Sequence, residues 1–328
     1  MKKPLYDDKL IVITGALGFI GSCLVKYLND KGFTNLLLVD DFDHTSKWKN
    51  IVGKKFVDII AIDDLFTFLQ GKERDIEAII HLGACSDTTE IDGSYLYDNN
   101  YRFSVKLCEY ALEHGHRFII ASSAATYGLG ENGFIDDEEL LDRLRPLNPY
   151  ALSKHLFDLW AKRQNVLKDI VSLKYFNIFG PNEAHKGHMS SMIYKMVPKI
   201  LSEGKIELFA STDPKYADGG QIRDFLYVKD AVAMTALFLE NDVGGIYNIG
   251  SGQETTWNKL SHVLFDALKK PSHIDYIEMP ESMKKAYQNY TLADMKKFKT
   301  TTRYVPRFTL ETAVQDYVSN HLLVDRGF

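Results

Sequence analysis

The chain has 328 residues, 45% of them hydrophobic and 25% charged, and its 39 basic and 44 acidic side chains give a net charge of −5. That length can bury one large core or two unequal lobes around a cleft, and the acidic balance argues against a nucleic-acid partner. No apolar run approaches the roughly 18–20 residues that cross a bilayer, and Asp7, Asp8 and Lys9 interrupt any apolar signal core after Lys2 and Lys3. A membrane partner is therefore not expected. Cys23, Cys85 and Cys108 form no CxxC pair, which fits a reducing cytoplasm better than a disulfide framework.

In chain order, Leu10–Thr14, Asn35–Val39, Ala78–His81, Phe118–Ala121 and Ile170–Tyr175 read as buried parallel strands, being short, apolar and followed by turn residues. Helical patterns fall between them at about Phe19–Lys31, Tyr95–His114 and Tyr150–Asn165. This alternation predicts an α/β fold, a Rossmann-type doubly wound parallel sheet with right-handed crossovers. After about Asn177 the rhythm breaks at Pro181, Gly187, Pro214, Gly219 and Gly220. Val228–Leu239 and Gly245–Gly250 then return to the first lobe. The expected organisation is interleaved: residues 1–176 plus about 226–252 bind a dinucleotide, while about 177–225 and 253–328 form a smaller mixed α/β substrate lobe.

The segment IVITGALGFIG, Ile11–Gly21, sets Gly15, Gly18 and Gly21 between a strand and a helix. Glycines there allow a tight turn and close approach of a pyrophosphate to the helix N-terminus, with Phe19 and Ile20 in the same loop. Asp40 ends the next strand, where an acid can take a ribose hydroxyl. Lys47 and Lys49 could reach a 2′-phosphate and favour NADP over NAD, whereas Asp41 opposes that phosphate. Leu82-Gly83-Ala84-Cys85-Ser86 is a further strand-end loop suited to lie along the cofactor, and Asn99 could anchor it. Cys85 has no activating histidine beside it and reads as packing.

Tyr150 and Lys154 stand four apart on one helix face. Lys154 and a positive nicotinamide ring would both favour the phenolate, moving a phenol of ordinary pKa near 10 toward working pH. Lys154 can also hold the nicotinamide ribose. Ser123 lies at the C-terminal edge of a strand, where ligands bind in open α/β sheets, and can hydrogen-bond the oxygen of the carbinol that loses hydride. The expectation is reversible hydride chemistry. His185 and His188 stand three apart without a third ligand at recognisable spacing, so no metal is expected.

The Gly-x-x-Gly-x-x-Gly spacing with Ser123, Tyr150 and Lys154 resembles the extended short-chain dehydrogenase/reductase superfamily, whose members act on nucleotide sugars. The likeness tightens over Gly83-Ala-Cys-Ser-Asp-Thr-Thr-Glu90, Asp98-Asn-Asn-Tyr101, Ser122-Ser-Ala-Ala-Thr-Tyr-Gly128, Phe176-Asn-Ile-Phe-Gly-Pro181, His185-Lys-Gly187 and Arg223-Asp-Phe225. Together these resemble the ADP-L-glycero-D-manno-heptose 6-epimerase family. The resemblance implies an ADP-heptose substrate, NADP, a cytoplasmic step in lipopolysaccharide inner-core synthesis, and a homo-oligomer, typically a pentamer. It also implies two acid/base residues, Tyr150 and Lys186, one for each face of a transient 6″-ketone. Carried over by position are Ile178 on the cofactor and Asn177, His188, Lys195, Phe209, Ala210, Ser211, Thr212, Arg223 and Tyr287 on the substrate. His188 and Lys195 depart from the family's serine and histidine at those places. Arg223 can bind a pyrophosphate bidentately.

A 4,6-dehydratase needs an acid pair where this chain has Ala124-Ala125. A UDP-sugar 4-epimerase would share the core motifs but gives no reason for the Lys186 loop. A non-catalytic cofactor sensor on the same fold would not need an intact Ser123, Tyr150 and Lys154.

Overall fold

The computed structural model describes residues 8–284 and 287–328. Among them, seven strands form one parallel sheet: β1 (Leu10–Thr14), β2 (Leu36–Val39), β3 (Asp58–Ile60), β4 (Ile76–His81), β5 (Arg117–Ser123), β6 (Val171–Tyr175) and, after an excursion, a strand at Gly245–Ile249. The order runs from Gly245–Ile249 through β6, β5, β4, β1 and β2 to β3. Every residue of β1, β2, β4 and β6 is buried, because helices pack on both faces. The chain order reverses at β1, which lies between β2 and β4, and ligands of doubly wound sheets bind at that switch point beyond the strand C-termini.

The expected α/β architecture and its apolar strands are present, but β3 was not expected. Its Asp-Ile-Ile is short and half exposed at the sheet edge, so it lacks the apolar run that marks the inner strands. The helix expected over Tyr95–His114 is also interrupted. It runs as Gly93–Leu96, a π-helical stretch at Tyr97–Arg102, and Phe103–Glu113. A π-helical stretch widens the turn and changes which side chains face inward. Here it buries Asn100, whose amide donates to Cys85 O at 2.9 Å and to Ser153 Oγ at 3.0 Å, while its Oδ1 accepts from Cys85 N at 2.9 Å. Asn100, rather than Asn99, is thus the anchor of the Cys85 loop.

The remaining strands pair two by two: β7 (Asn177–Phe179) with Phe225–Tyr227, Ile206–Phe209 with Ile274–Ile277, and Ile222–Arg223 with Thr255–Thr256. They follow β6 in the chain, together with the helices Met192–Glu203 and Trp257–Ala267. No helix of the described residues is long and apolar enough to cross a membrane.

Candidate active site

The glycine loop fits a dinucleotide. Gly15 has φ +66°, and a Cβ on it would lie 2.6 Å from Gly83 N; one on Gly21 would lie 2.1 Å from Gly15 O. A side chain at either place would drive into the neighbouring backbone, so both glycines are needed for the tight turn and the close packing of helix on strand that shape a dinucleotide loop. Gly83 is fixed by a buried relay. Its N–H donates to Thr14 Oγ1 (3.0 Å), which bonds His81 Nδ1 (2.6 Å), while His81 Nε2 meets Ser104 Oγ (2.9 Å). Because Ser104 Oγ donates to Asn100 O, Nε2 carries the imidazole proton and Nδ1 accepts from Thr14. Burial, with Lys154 adding to it, lowers the pKa of His81 to about 3, so the relay holds a neutral ring.

A cleft of about 490 Å³ opens on this loop. Gly15, Gly18, Phe19, Ile20, Gly21, Asp40, Asp41, Lys47, Leu82, Gly83, Ala84, Cys85, Ser86 and Asn99 all line it. Asp40 does not stand free for a ribose, however. Its Oδ2 accepts from Leu17 N at 2.8 Å, and its Oδ1 accepts from Asp41 N at 2.9 Å and Lys47 Nζ at 3.1 Å. Lys47 also meets Asp43 at 2.8 Å, so the structure presents a cation already held at the strand end.

An adjoining cleft of about 440 Å³ is lined by Ser123, Tyr150, Lys154, Asn177, Ile178 and Lys186. Tyr150 follows Pro149 at the start of its helix, and Asn148 caps that helix by accepting from Ala151 N at 2.7 Å. The phenol shares a side-chain hydrogen bond with Ser123, whose Oγ also accepts from Ala125 N at 3.1 Å. Lys154 is buried and donates to Ala121 O at 2.9 Å, and burial pulls its ammonium down to about 8 while Asp158 opposes that pull. The phenol departs from expectation: burial raises the pKa of Tyr150, and the Ser123 bond only partly counters it. Lys154 is turned to a backbone carbonyl, so the chain alone does not create a phenolate. The positive ring of a bound cofactor would have to supply the missing charge.

Beneath Ser123, Ser122 Oγ donates to Asp158 Oδ2 at 2.8 Å, and Lys174 Nζ bonds Asp158 at 2.8 Å and Thr126 Oγ1 at 2.6 Å. The pair is almost fully buried, and removing one partner would leave an uncompensated charge under the serine turn. Ala124 and Ala125 line the cleft beside Ser123 and present no carboxylate there.

Lys186 comes from a different element, the loop after β7, and lines both clefts. Its ammonium lies 5.4 Å from the centre of the Phe19 ring. Burial lowers its pKa, with Glu183 opposing and Lys195 reinforcing the shift. His185, from the same loop, also lines the cofactor cleft and lies 3.2 Å from Asn50 Nδ2, which donates to Leu17 O and Asn182 O as well. Nothing in the sequence around Asn50 announces this link between the glycine loop and the Lys186 loop.

The other substrate residues named from the sequence stand outside the catalytic cleft. His188 pairs with Asp87 at 3.2 Å, and Lys195 donates to His188 O at 2.5 Å. Phe209 meets the Tyr287 ring edge-on at 6.2 Å. Ala210 N bonds Ile277 O, and Ser211 and Thr212 lie in a turn closed by Ser211 N on Asp218 at 2.7 Å. Arg223 is 8% exposed and lies 5.1 Å from the centre of the Tyr287 ring and 5.7 Å from that of Trp257. No carboxylate pairs with it among the described residues, and burial depresses its pKa. Its Nη1 donates to Ile222 O at 2.8 Å, and the guanidinium also shares a side-chain hydrogen bond with Tyr287. Trp257, Gln288, Thr291 and Met192 line the catalytic cleft without having been singled out, since only the fold brings their segments together.

Residues 11–250 match the NAD dependent epimerase/dehydratase family, and the chain belongs to it. Within that family it is 46% identical over 317 residues, 95% of this chain and 98% of the relative, to the ADP-L-glycero-D-manno-heptose-6-epimerase of Nitratidesulfovibrio vulgaris. The Fusobacterium nucleatum protein of the same name is 42% identical over 97% of this chain and 100% of its own. Among solved structures, Helicobacter pylori ADP-L-glycero-D-manno-heptose-6-epimerase superposes with a TM-score of 0.79 at 26% identity over 96% of each chain.

Proposed function

We propose that the protein inverts C6″ of ADP-D-glycero-β-D-manno-heptose to give ADP-L-glycero-β-D-manno-heptose through a transient 6″-ketone. The observation that carries this reading is that one cleft brings together a phenol and an ammonium from separate elements, Tyr150 beside Ser123 and Lys186 after β7, with alanines where a dehydratase needs acids. The names of the relatives at 46% and 42% identity support the substrate.

The residues divide the work. Ser123 orients the carbinol oxygen, and Tyr150 takes or returns its proton on one face. Lys186, its ammonium weakened by burial, serves the other face, so that neither group must reach both. A nicotinamide dinucleotide would be held with its pyrophosphate at Gly15–Gly21 and its length along Leu82–Ser86, and when bound it would supply a reversible hydride acceptor for the carbinol carbon. Lys154 would hold the ribose next to the nicotinamide, and Ile178 would flank the ring. Arg223, with Tyr287, Phe209 and the turn at Ala210–Thr212, receives the ADP end, and Asn177, His188 and Lys195 border the path between.

The preferred dinucleotide is NADP, a reading supported by Lys47, the half-buried cation already held at the end of β2. Lys47→Ala should weaken NADP binding about tenfold and leave NAD binding within about twofold by calorimetry, a loss equivalent to about 1.4 kcal/mol. Equal losses for both would remove Lys47 from the 2′ position. The family likeness further supports an interleaved two-lobe organisation (1–176 plus 226–252 against 177–225 and 253–328), a cytoplasmic homo-oligomer, pentameric in kind, and a role in lipopolysaccharide inner-core synthesis.

The deciding experiment supplies ADP-D-glycero-β-D-manno-heptose without added cofactor and follows C6″ by NMR. Inversion is expected. Turnover of a UDP-hexose with no action on the ADP-heptose would overturn the substrate assignment.

A further inference from the structure

The Lys186 loop is tied at His185 to Asn50 and at His188 to Asp87 and Lys195, but its remaining hold comes from the residue that precedes it. Gly187 sits at φ +53°, and Ala184, Gly187 and His188 are exposed. Glu183, by contrast, is 1% exposed, and both of its carboxylate oxygens are committed. Oε1 accepts from Gly180 N at 3.2 Å, Ser191 Oγ at 2.8 Å and Tyr317 OH at 2.9 Å, while Oε2 accepts from Ser191 N at 2.5 Å. Its backbone oxygen accepts from Lys186 N at 3.0 Å and Ser190 Oγ at 3.1 Å. One side chain therefore grips the chain before the loop, the chain after it, and the C-terminal helix Leu310–Tyr317. Each of those four side-chain partners is a neutral donor. Such a buried carboxylate is costly to keep and tolerates no donor in place of an oxygen.

We propose that Glu183 is the positioning residue for Lys186: by clamping Gly180 and Ser191 together against Tyr317, it fixes the loop that carries the second acid/base group over the cleft. This rests on the reading of Lys186 given above. It assigns Glu183 no contact with substrate or cofactor, and it explains why a carboxylate is buried here without a cation bonded to it.

The test is a cycle of four proteins: the unaltered chain, Glu183→Gln, Lys186→Met and the double variant. Glutamine keeps the size of the side chain but turns an amide nitrogen toward an N–H or O–H donor. Expected for Glu183→Gln is a fall in kcat of about ten- to a hundredfold, the scale of a reacting group displaced by about 1 Å. KM and bound dinucleotide should stay within about twofold. In the Lys186→Met background the same change should cost less than about twofold more, because the group being positioned is already gone. Amide exchange at Lys186 and Ser191 should quicken in Glu183→Gln, which activity alone cannot report. Independent, multiplying losses from the two changes, or a kcat within threefold of the unaltered chain, would overturn the assignment. Full activity in Lys186→Met would overturn the two-base reading and this proposal with it; loss there with multiplying effects overturns the proposal alone. Should Glu183→Gln not fold, Tyr317→Phe removes one clamp bond far from the loop. It should give a smaller loss in kcat that likewise vanishes in the Lys186→Met background, and a loss that persists there overturns the clamp.

Discussion

The two clefts share a wall but are built in different ways. The cofactor cleft is lined mostly by residues within a few positions of the ends of β1, β2 and β4, and its geometry is backbone geometry: a glycine at φ +66°, a relay that fixes Gly83, a carboxylate holding Leu17 N. The catalytic cleft takes Ser123, Tyr150, Asn177, Lys186, Trp257 and Gln288 from separate segments, and its geometry is side-chain geometry. A site of the first kind survives single side-chain changes and fails when a turn is filled. A site of the second kind keeps its ligands but loses its rate when one functional group goes.

The strongest way to break that contrast is to remove the two groups proposed to transfer protons. Tyr150→Phe and Lys186→Met should each slow epimerisation by about 10²–10⁴-fold, the usual reach of general acid–base catalysis. Dinucleotide content, measured on the purified protein, should stay near one per chain. If either change released the dinucleotide, the two clefts would not be separable. A Lys186 variant of nearly full rate would leave Tyr150 to serve both faces of the ketone.

Arg223 probes the outer end of the substrate path. Its buried guanidinium has aromatic neighbours but no carboxylate among the described residues, so an anion bound there would gain most of its partner's charge. Arg223→Ala should raise KM about a hundredfold with kcat changed far less, about 3 kcal/mol of binding lost equally from ground and transition states. Steady-state kinetics separate the two constants. A fall in kcat with KM unmoved would place the arginine at the chemistry instead.

This contrast also governs what could be read from the sequence. The glycine loop, Asp40 and the Leu82–Ser86 turn were legible because strand, turn and helix follow one another along the chain and each residue's place is set locally. Ser123, Tyr150 and Lys154 were legible because hydride chemistry needs those groups at that spacing. What Asp40 and Lys154 bond was not legible, since Leu17 N and Ala121 O are backbone atoms whose approach depends on the finished sheet. The π-helical stretch that turned Asn100 inward leaves no mark in the hydrophobic periodicity. Glu183 and Asn50 looked like ordinary loop residues, for apart from Gly180 their side-chain partners lie from 8 to 135 positions away. Their role appears only once the loops have converged.

The smallest effect concerns acid, and it separates the scaffold under the catalytic helix from the clefts themselves. His155 lies on that helix, buried, with Nδ1 lacking a partner. Burial, reinforced by Lys174 and opposed by Asp158, lowers its pKa to about 4. His81, at about 3, behaves alike. In the unfolded chain both rings take up a proton below about pH 6.5, whereas in the folded chain they do not until pH 3–4. The unfolded state therefore binds more protons in that window, and stability falls as pH falls from about 6.5 toward 4. Each ring contributes about 1.4 kcal/mol per pH unit once well below 6.5. Buried Asp136, Glu183 and Asp224 work the other way, because burial raises their pKa and the folded state gains their protons first. The absolute slope is a sum, and a difference isolates one ring. Urea midpoints at pH 7.5 and 5.0 should draw closer together in His155→Leu than in the unaltered chain, by up to about 2 kcal/mol, with dinucleotide content unchanged at both. An unchanged difference would mean that the ring is already protonated in the fold, and that the unpartnered nitrogen has found an acceptor beside Asp158.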